Sequence, residues 1–226
     1  MTDARDRLAI ALDVPDLATA EEIARAVAPW FGIAKVGLEL YSAAGPEAIA
    51  RMRALDLQVF ADLKMYDIPT TVERGARALG RQGITYLNFP AVGGVDMLRA
   101  GVNGLAEGAR EAGHADPIPI AVTVLTSERD TSAFDARLQA AIDAGCQGVV
   151  CSVQEIAQVH RARSDFVTIV PGVRFADGDQ HDQARVGTPD AVAREGADVL
   201  VVGRAVTAAT DRASAAKRVY DAVADA

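Results

Sequence analysis

A closed (β/α)8 barrel (TIM barrel), folded as a single domain over residues 1–226, is the α/β fold class this sequence predicts, and three observations predict it. Short β-branched or apolar runs recur eight times, separated by stretches with apolar residues at three- and four-residue spacing. The first run is followed by DVPD, whereas a doubly wound sheet usually shows fewer strands and a G-x-G-x-x-G fingerprint at that point. The length of 226 residues suits one barrel. A chain of this size buries roughly 70–75% of its unfolded surface in one core.

The expected strands, in order, are RLAIALD (7–13), GIAKVGL (32–38), LQVFADL (57–63), ITYLNF (84–89), IPIAVTVL (118–125), QGVVCS (147–152), DFVTIV (165–170) and DVLVVG (198–203). Helical periodicity covers LATAEEIARAVAPWF (17–31), PEAIARMRAL (46–55), TVERGARALGRQG (71–83), DARLQAAIDAG (135–145) and ASAAKRVYDAV (213–223), within a tally of eight helices for eight strands. Thr19 with Glu22 and Thr70 with Glu73 have capping-box spacing, and the glycines of QGI, AGC and EGA stand where helices would stop. EGAREAGHADP (107–117) reads as a helix end and surface loop. No internal repeat, low-complexity tract or interdomain linker breaks the pattern.

Composition narrows the function. A net charge of −8 and a pI near 4.9 exclude a basic nucleic-acid groove and an anionic membrane surface as partners. The first residues have no signal-like cleavage site and no apolar run reaches about 18 residues, so a cytoplasmic protein is expected. Cys146 and Cys151 have neither C-x-x-C spacing nor a neighbouring histidine, and are expected as small buried apolar residues. Of the 23 basic residues only Lys35, Lys64 and Lys217 are lysine. Lysine can give up a proton and arginine effectively cannot. Lys217 lies in a helical pattern and is expected on a solvated face; Lys35 and Lys64 are expected on strands.

Barrel chemistry gathers at the carboxyl ends of strands. Asp62 and Lys64 are two apart in FADLKMYDIP (60–69), which on a strand directs both to one side, the mouth. Asp67 falls in the loop beyond, Asp13 ends the first strand and Lys35 lies in the second. Three adjacent strands thereby bring alternating charges together, each sign supporting its neighbour and keeping the lysines protonated. Such a layer could equally be an ion-pair network that only closes the barrel floor.

A second cluster follows the last two strands, in PGVRF (171–175) and GRAVT (203–207), the loops where barrels commonly hold phosphate. Gly172 and Gly203 permit close approach of an anion, and Arg174 and Arg204 offer forked donors. Between them ADGDQHDQARVGTP (176–189), containing Gln183, reads as a polar lid.

DLKMYDIPTTV resembles the D-x-K-x-x-D-I-P-x-T signature of the orotidine 5'-monophosphate decarboxylase family, and ALDVPD, KVGLEL, VTVLTS, VVCS, PGVR, DQARVGTP and VVGRAVT occur in that family's order from the first strand to the last. The resemblance implies a homodimer, free of cofactor and metal, that converts orotidylate to uridylate and carbon dioxide. It implies that Lys35, Asp62, Lys64 and Asp67 form a charged tetrad, with Lys64 as proton donor. Asp67 and Thr71 would reach the partner subunit's site. Asp13 and Lys35 would lie near the ribose hydroxyls, Thr126 or Ser127 would read the pyrimidine amide, and Arg174, Gln183, Gly203 and Arg204 would hold the phosphate. Four positions depart from the family pattern: Pro90 and Tyr66 stand where histidines are common, Thr70 where asparagine is and Phe175 where proline is. Two alternatives share the residues. A magnesium-dependent sugar-phosphate decarboxylase or hexulose-phosphate synthase of the same fold would have a glutamate where Lys35 stands, and a barrel could bind a phosphorylated ligand without turnover.

Overall fold

Eight parallel strands close on one another in chain order: β1 (Leu8–Ala11), β2 (Ile33–Gly37), β3 (Gln58–Asp62), β4 (Tyr86–Pro90), β5 (Ile118–Val122), β6 (Gly148–Val150), β7 (Val167–Val173) and β8 (Val199–Val202), with β8 pairing back to β1. The computed structural model describes residues 3–125, 128, 130–175 and 187–226. The predicted barrel is therefore the observed one, with strand ends displaced by at most three residues.

Ten α-helices occur among the described residues, two more than the tally of eight expected: α1 (Leu17–Val27), α2 (Leu38–Ala44), α3 (Pro46–Ala54), α4 (Pro69–Gly80), α5 (Gly94–Glu111), α6 (Phe134–Ala144), α7 (Ile156–Ala162), α8 (Pro189–Arg194), α9 (Arg204–Thr207) and α10 (Arg212–Ala224). The excess arises in two places: α2 and α3 share one crossover, separated by Gly45 at φ +59, and both α9 and α10 follow β8. Helix α1 stops four residues short of its expected end, because Pro29 has no N–H to continue the ladder.

Both expected capping boxes give way to other starts. Asp16 caps α1, its Oδ1 accepting from the Thr19 N–H at 2.8 Å and its Oδ2 from the Thr19 hydroxyl at 2.8 Å. In α4, Pro69 occupies the first turn, where its missing N–H is harmless, so Thr70 lies inside the helix. A capping box does form at Ser152 and Glu155. Gly145 ends α6 at φ 85, the left-handed conformation that glycine adopts without penalty.

Side-chain alternation divides the apolar residues into two cores. Leu8 and Ile10 of β1, Val59 and Ala61 of β3 and Leu87 and Phe89 of β4 pack outward against the helices. Ala9, Ile33, Phe60, Tyr86, Ile120 and Ile169 fill the barrel itself. One step further along the inward rows come Asp13, Lys35, Asp62 and Asn88, so the pattern that fills the barrel also places polar groups at its mouth. Cys146 and Cys151 are buried and form no disulfide, and burial pushes the Cys146 thiol up to about 12. Lys217 is exposed and paired with Asp221 at 2.7 Å, the solvated role expected of it. No helix among the described residues is long and apolar enough to cross a membrane.

Candidate active site

The inward rows of β1 to β4 converge on a cavity of about 690 Å³, a volume suited to a nucleotide-sized ligand. Lys35 Nζ lies 3.0 Å from Asp13 Oδ1 and 3.1 Å from Asp62 Oδ2, while Lys64 Nζ lies 2.6 Å from Asp62 Oδ1. The result is an unbroken chain of alternating charge, Asp13, Lys35, Asp62, Lys64. It runs from open to closed to open surroundings, because Lys35 and Asp62 are 8% and 15% exposed whereas Asp13 and Lys64 are 54% and 36% exposed.

Strand register explains the inner pair. Lys35 and Asp62 both point inward, and Gly37, two residues on from Lys35, stands directly beside Asp62. A Cβ on Gly37 would overlap Asp13 Oδ1 and come within 3.2 Å of Lys35 Nζ, so the smallest residue leaves room for the pair.

Lys64 corrects the strand argument. Strand β3 ends at Asp62, and Lys64 lies in the following turn at φ 48, a left-handed conformation that costs a non-glycine residue about 1–3 kcal/mol. Its ammonium reaches Asp62 by this reversal and not by strand alternation. Asp13 likewise lies beyond the end of β1 and not within it.

Asn88, which sequence reasoning passed over, organises that turn. It is 1% exposed on β4, its Nδ2 donates to Asp62 Oδ1 at 2.6 Å and its Oδ1 accepts the Lys64 backbone N–H at 2.8 Å. The amide orientation follows from the partners, since an ionised carboxylate only accepts and a backbone N–H only donates. A signal was present: an amide in the inward row of the apolar run ITYLNF must be satisfied by something at the mouth.

Charge balance sets the protonation states. Burial alone would push the Lys35 ammonium down, but the Asp62 and Asp13 carboxylates outweigh it and hold it above the usual lysine range. Burial would raise Asp62, yet Lys35 and Lys64, with hydrogen bonds from Lys64 and Asn88, keep its carboxyl below the usual carboxylate range. Asp62 therefore stabilises the fold above its unfolded value of about 3.9, and that contribution is lost as pH falls through its lower folded value. The Lys35 contribution is complete below about 10.4 and is lost as pH rises through its higher folded value. We expect urea midpoints to fall at both extremes, with a shallower acid limb in Asp62→Asn; an identical acid limb would contradict this assignment.

The expected phosphate-side residues Gly172, Arg174, Gly203 and Arg204 line the same cavity. Arg174 is fixed through its backbone N–H, which donates to Gly187 O at 3.1 Å. Phe175 lies beneath a guanidinium that sequence reasoning missed, with Arg218 Cζ of α10 standing 3.8 Å from its ring centroid. Thr126, Ser127, Gln183 and positions 176–186 of the expected lid lie outside the described residues. The strand end preceding the first two is anchored by Arg137, whose Nη1 donates to Thr123 O at 2.7 Å.

Asp67 and Thr71 are not brought to this cavity. Asp67 is exposed, accepts the Ile68 N–H at 2.6 Å and borders a second depression of about 500 Å³ with Tyr66, Ile68 and Met97. Thr71 is exposed in the first turn of α4. Pro90 ends β4 and lies outside the lining of the larger cavity, so that departure from the pattern leaves the Asn88 contacts in place.

Known proteins share this chain's sequence pattern and fold. The orotidine 5'-phosphate decarboxylase / HUMPS family profile matches residues 6–219. A Moorella thermoacetica protein named orotidine 5'-phosphate decarboxylase is 44% identical over 230 residues, covering 96% of this chain and 91% of its own length. One of the same name from Thermobifida fusca is 44% identical over 223 residues, covering 92% of each. The crystal structure of orotidine 5'-phosphate decarboxylase from Lactobacillus acidophilus superposes with a TM-score of 0.83 at 31% identity, over 96% of this chain and 99% of that one. With the profile spanning nearly the whole barrel and its relatives matching end to end, the chain belongs to the orotidine 5'-phosphate decarboxylase / HUMPS family.

Proposed function

We propose that the protein is a carboxy-lyase that converts orotidine 5'-monophosphate to uridine 5'-monophosphate and carbon dioxide in pyrimidine nucleotide synthesis, with Lys64 as proton donor and no cofactor. The observation that carries this reading is the alternating Asp13, Lys35, Asp62, Lys64 chain at one side of a cavity whose other side presents Arg174 and Arg204. Breaking the bond between ring carbon 6 and the carboxylate leaves an electron pair in the ring plane, which the ring carbonyls cannot delocalise. The site must stabilise that localised charge and then protonate it. The Lys64 ammonium supplies both, giving its proton to carbon 6 and recovering one from solvent. Asp62 holds Lys64 in place.

General acid catalysis contributes roughly 10²–10⁴-fold, against accelerations of up to about 10¹⁷ in demanding enzymes. Preorganised charge and binding energy from the remote phosphate provide the remainder. Arg174 and Arg204 therefore act on turnover without touching the reacting carbon, with Gly203 allowing the anion close. Thr126 or Ser127 reads the pyrimidine amide, and Gln183 joins the phosphate contacts.

Metal independence is supported by the ammonium groups on both sides of Asp62, which repel a divalent ion. The homodimer is supported by the large apolar side chains Leu38, Tyr66, Ile68 and Val92, exposed on the rim where Asp67 and Thr71 lie. In the dimer Asp67 and Thr71 complete the partner's site.

The test is spectrophotometric loss of orotidylate on addition of the purified protein with EDTA present. Turnover is expected, and turnover that requires added magnesium would overturn the metal-free reading. Tight uridylate binding without turnover would favour the non-catalytic barrel instead. Arg204→Ala is expected to lower kcat/KM for orotidylate roughly 10–100-fold, the worth of a hydrogen bond to a charged group. Orotidine, which has no phosphate, should be turned over equally by both proteins; equal losses on the two substrates would remove Arg204 from the phosphate site.

A further inference from the structure

We infer that Asn88 is a positioning residue for proton transfer, holding Lys64 in its left-handed turn and Asp62 in its pairing geometry through the two ends of one buried amide. The inference rests on the proposed decarboxylase reading for its kinetic consequence, though its structural consequence stands apart from it.

Three contacts join β4 to the last residue of β3 and the segment after it. Asn88 Nδ2 donates to Asp62 Oδ1 at 2.6 Å, Asn88 Oδ1 accepts the Lys64 N–H at 2.8 Å, and Asn88 O accepts the Met65 N–H at 3.2 Å. Asp62 Oδ1 is also the atom that Lys64 Nζ approaches at 2.6 Å, so the amide and the ammonium share one carboxylate oxygen. The backbone that carries Lys64 and the carboxylate that receives its side chain are therefore tied to a single residue. Strand pairing between β3 and β4 covers only Phe60 with Tyr86 and Ala61 with Leu87. Beyond that ladder the main chain contributes the Met65 N–H to Asn88 O bond, and the Lys64 N–H and Asp62 Oδ1 are left to the Asn88 side chain. No other amide side chain among the described residues bonds to either Asp62 or Lys64. The geometry needs a group that donates at one end and accepts at the other, at a fixed separation, which an ionised aspartate, serine and alanine each fail to provide.

The test compares Asn88→Ala and Asn88→Asp with wild type. Asn88→Ala is expected to lower kcat roughly 10²-fold, the cost of a misplaced reacting group, while uridylate affinity stays at the wild-type level. Hydrogen exchange at the Lys64 amide should quicken in Asn88→Ala and stay slow in Asn88→Asp, which keeps the acceptor and loses the donor. The acid limb of the kcat profile should move to higher pH in both, and further in Asn88→Asp, because Asp62 loses a hydrogen bond and gains a like charge. Asn88→Asp provides the decisive readout if Asn88→Ala does not fold. Wild-type kcat in either variant, a parallel loss of kcat and uridylate affinity, or unchanged Lys64 exchange in Asn88→Ala would overturn the inference. A wild-type protein with no turnover would overturn the decarboxylase reading alone, and Lys64 exchange would still decide the role of Asn88.

Discussion

Lys64→Ala is expected to lower kcat on orotidylate by roughly 10²–10⁴-fold, the contribution of a positioned general acid. The decisive companion is Lys64→Arg. A guanidinium keeps the positive charge beside Asp62 but gives up no proton at working pH, so charge alone would rescue the arginine variant and proton donation would not. Both variants should fold, because Lys64 is 36% exposed and Asp62 retains Lys35 at 3.1 Å and Asn88. Single-turnover absorbance decay with saturating enzyme measures the chemical step directly. Wild-type turnover in Lys64→Arg would remove Lys64 as the donor and leave it an electrostatic role only.

Lys35→Met should act on the fold as much as on the reaction. Methionine matches the aliphatic stem but leaves Asp62, 15% exposed, without its inner counter-ion. Removing one partner of a buried pair costs about 3–5 kcal/mol. For a chain of this length that corresponds to a thermal midpoint lower by roughly 6–20 °C. The loss should shrink on acidification, since a protonated Asp62 no longer needs a cation, and the double variant Lys35→Met with Asp62→Asn should recover most of it. Differential scanning calorimetry across pH reads all three. A Lys35→Met protein as stable as wild type would mean that solvent or Lys64 already neutralises Asp62, and that the pair is not a structural element of the mouth.

The sequence and structure agree most closely where a residue's place depends on its own strand. Lys35 and Asp62 were legible as inward-facing because each continues a row of inward side chains, Ile33 before one and Phe60 before the other. Arg174 and Arg204 are legible as cavity-lining residues for a related reason: a barrel strand end and its loop lie at a fixed place on the rim. Sequence and structure part where two segments distant in sequence decide the outcome together. Lys64 reaches Asp62 through a turn, and the turn is held by Asn88 from the next strand. The Phe175 substitution had no visible partner until α10 brought Arg218 over its ring. Helix starts differ from the expected ones for a local reason, competition: Asp16 lies three residues before Thr19 and reaches its N–H first, and Pro69 sets the first turn of α4 ahead of Thr70.

By itself the sequence determined the closed eight-stranded barrel, the inward rows and the residue types available at the mouth, because hydrophobic periodicity and alternation are properties of each short segment. Only the tertiary structure decided how Lys64 comes to face Asp62 and what holds it there. A left-handed turn and a buried amide's two partners are chosen by the packing of β3 against β4, and that adjacency is written in no single stretch of chain.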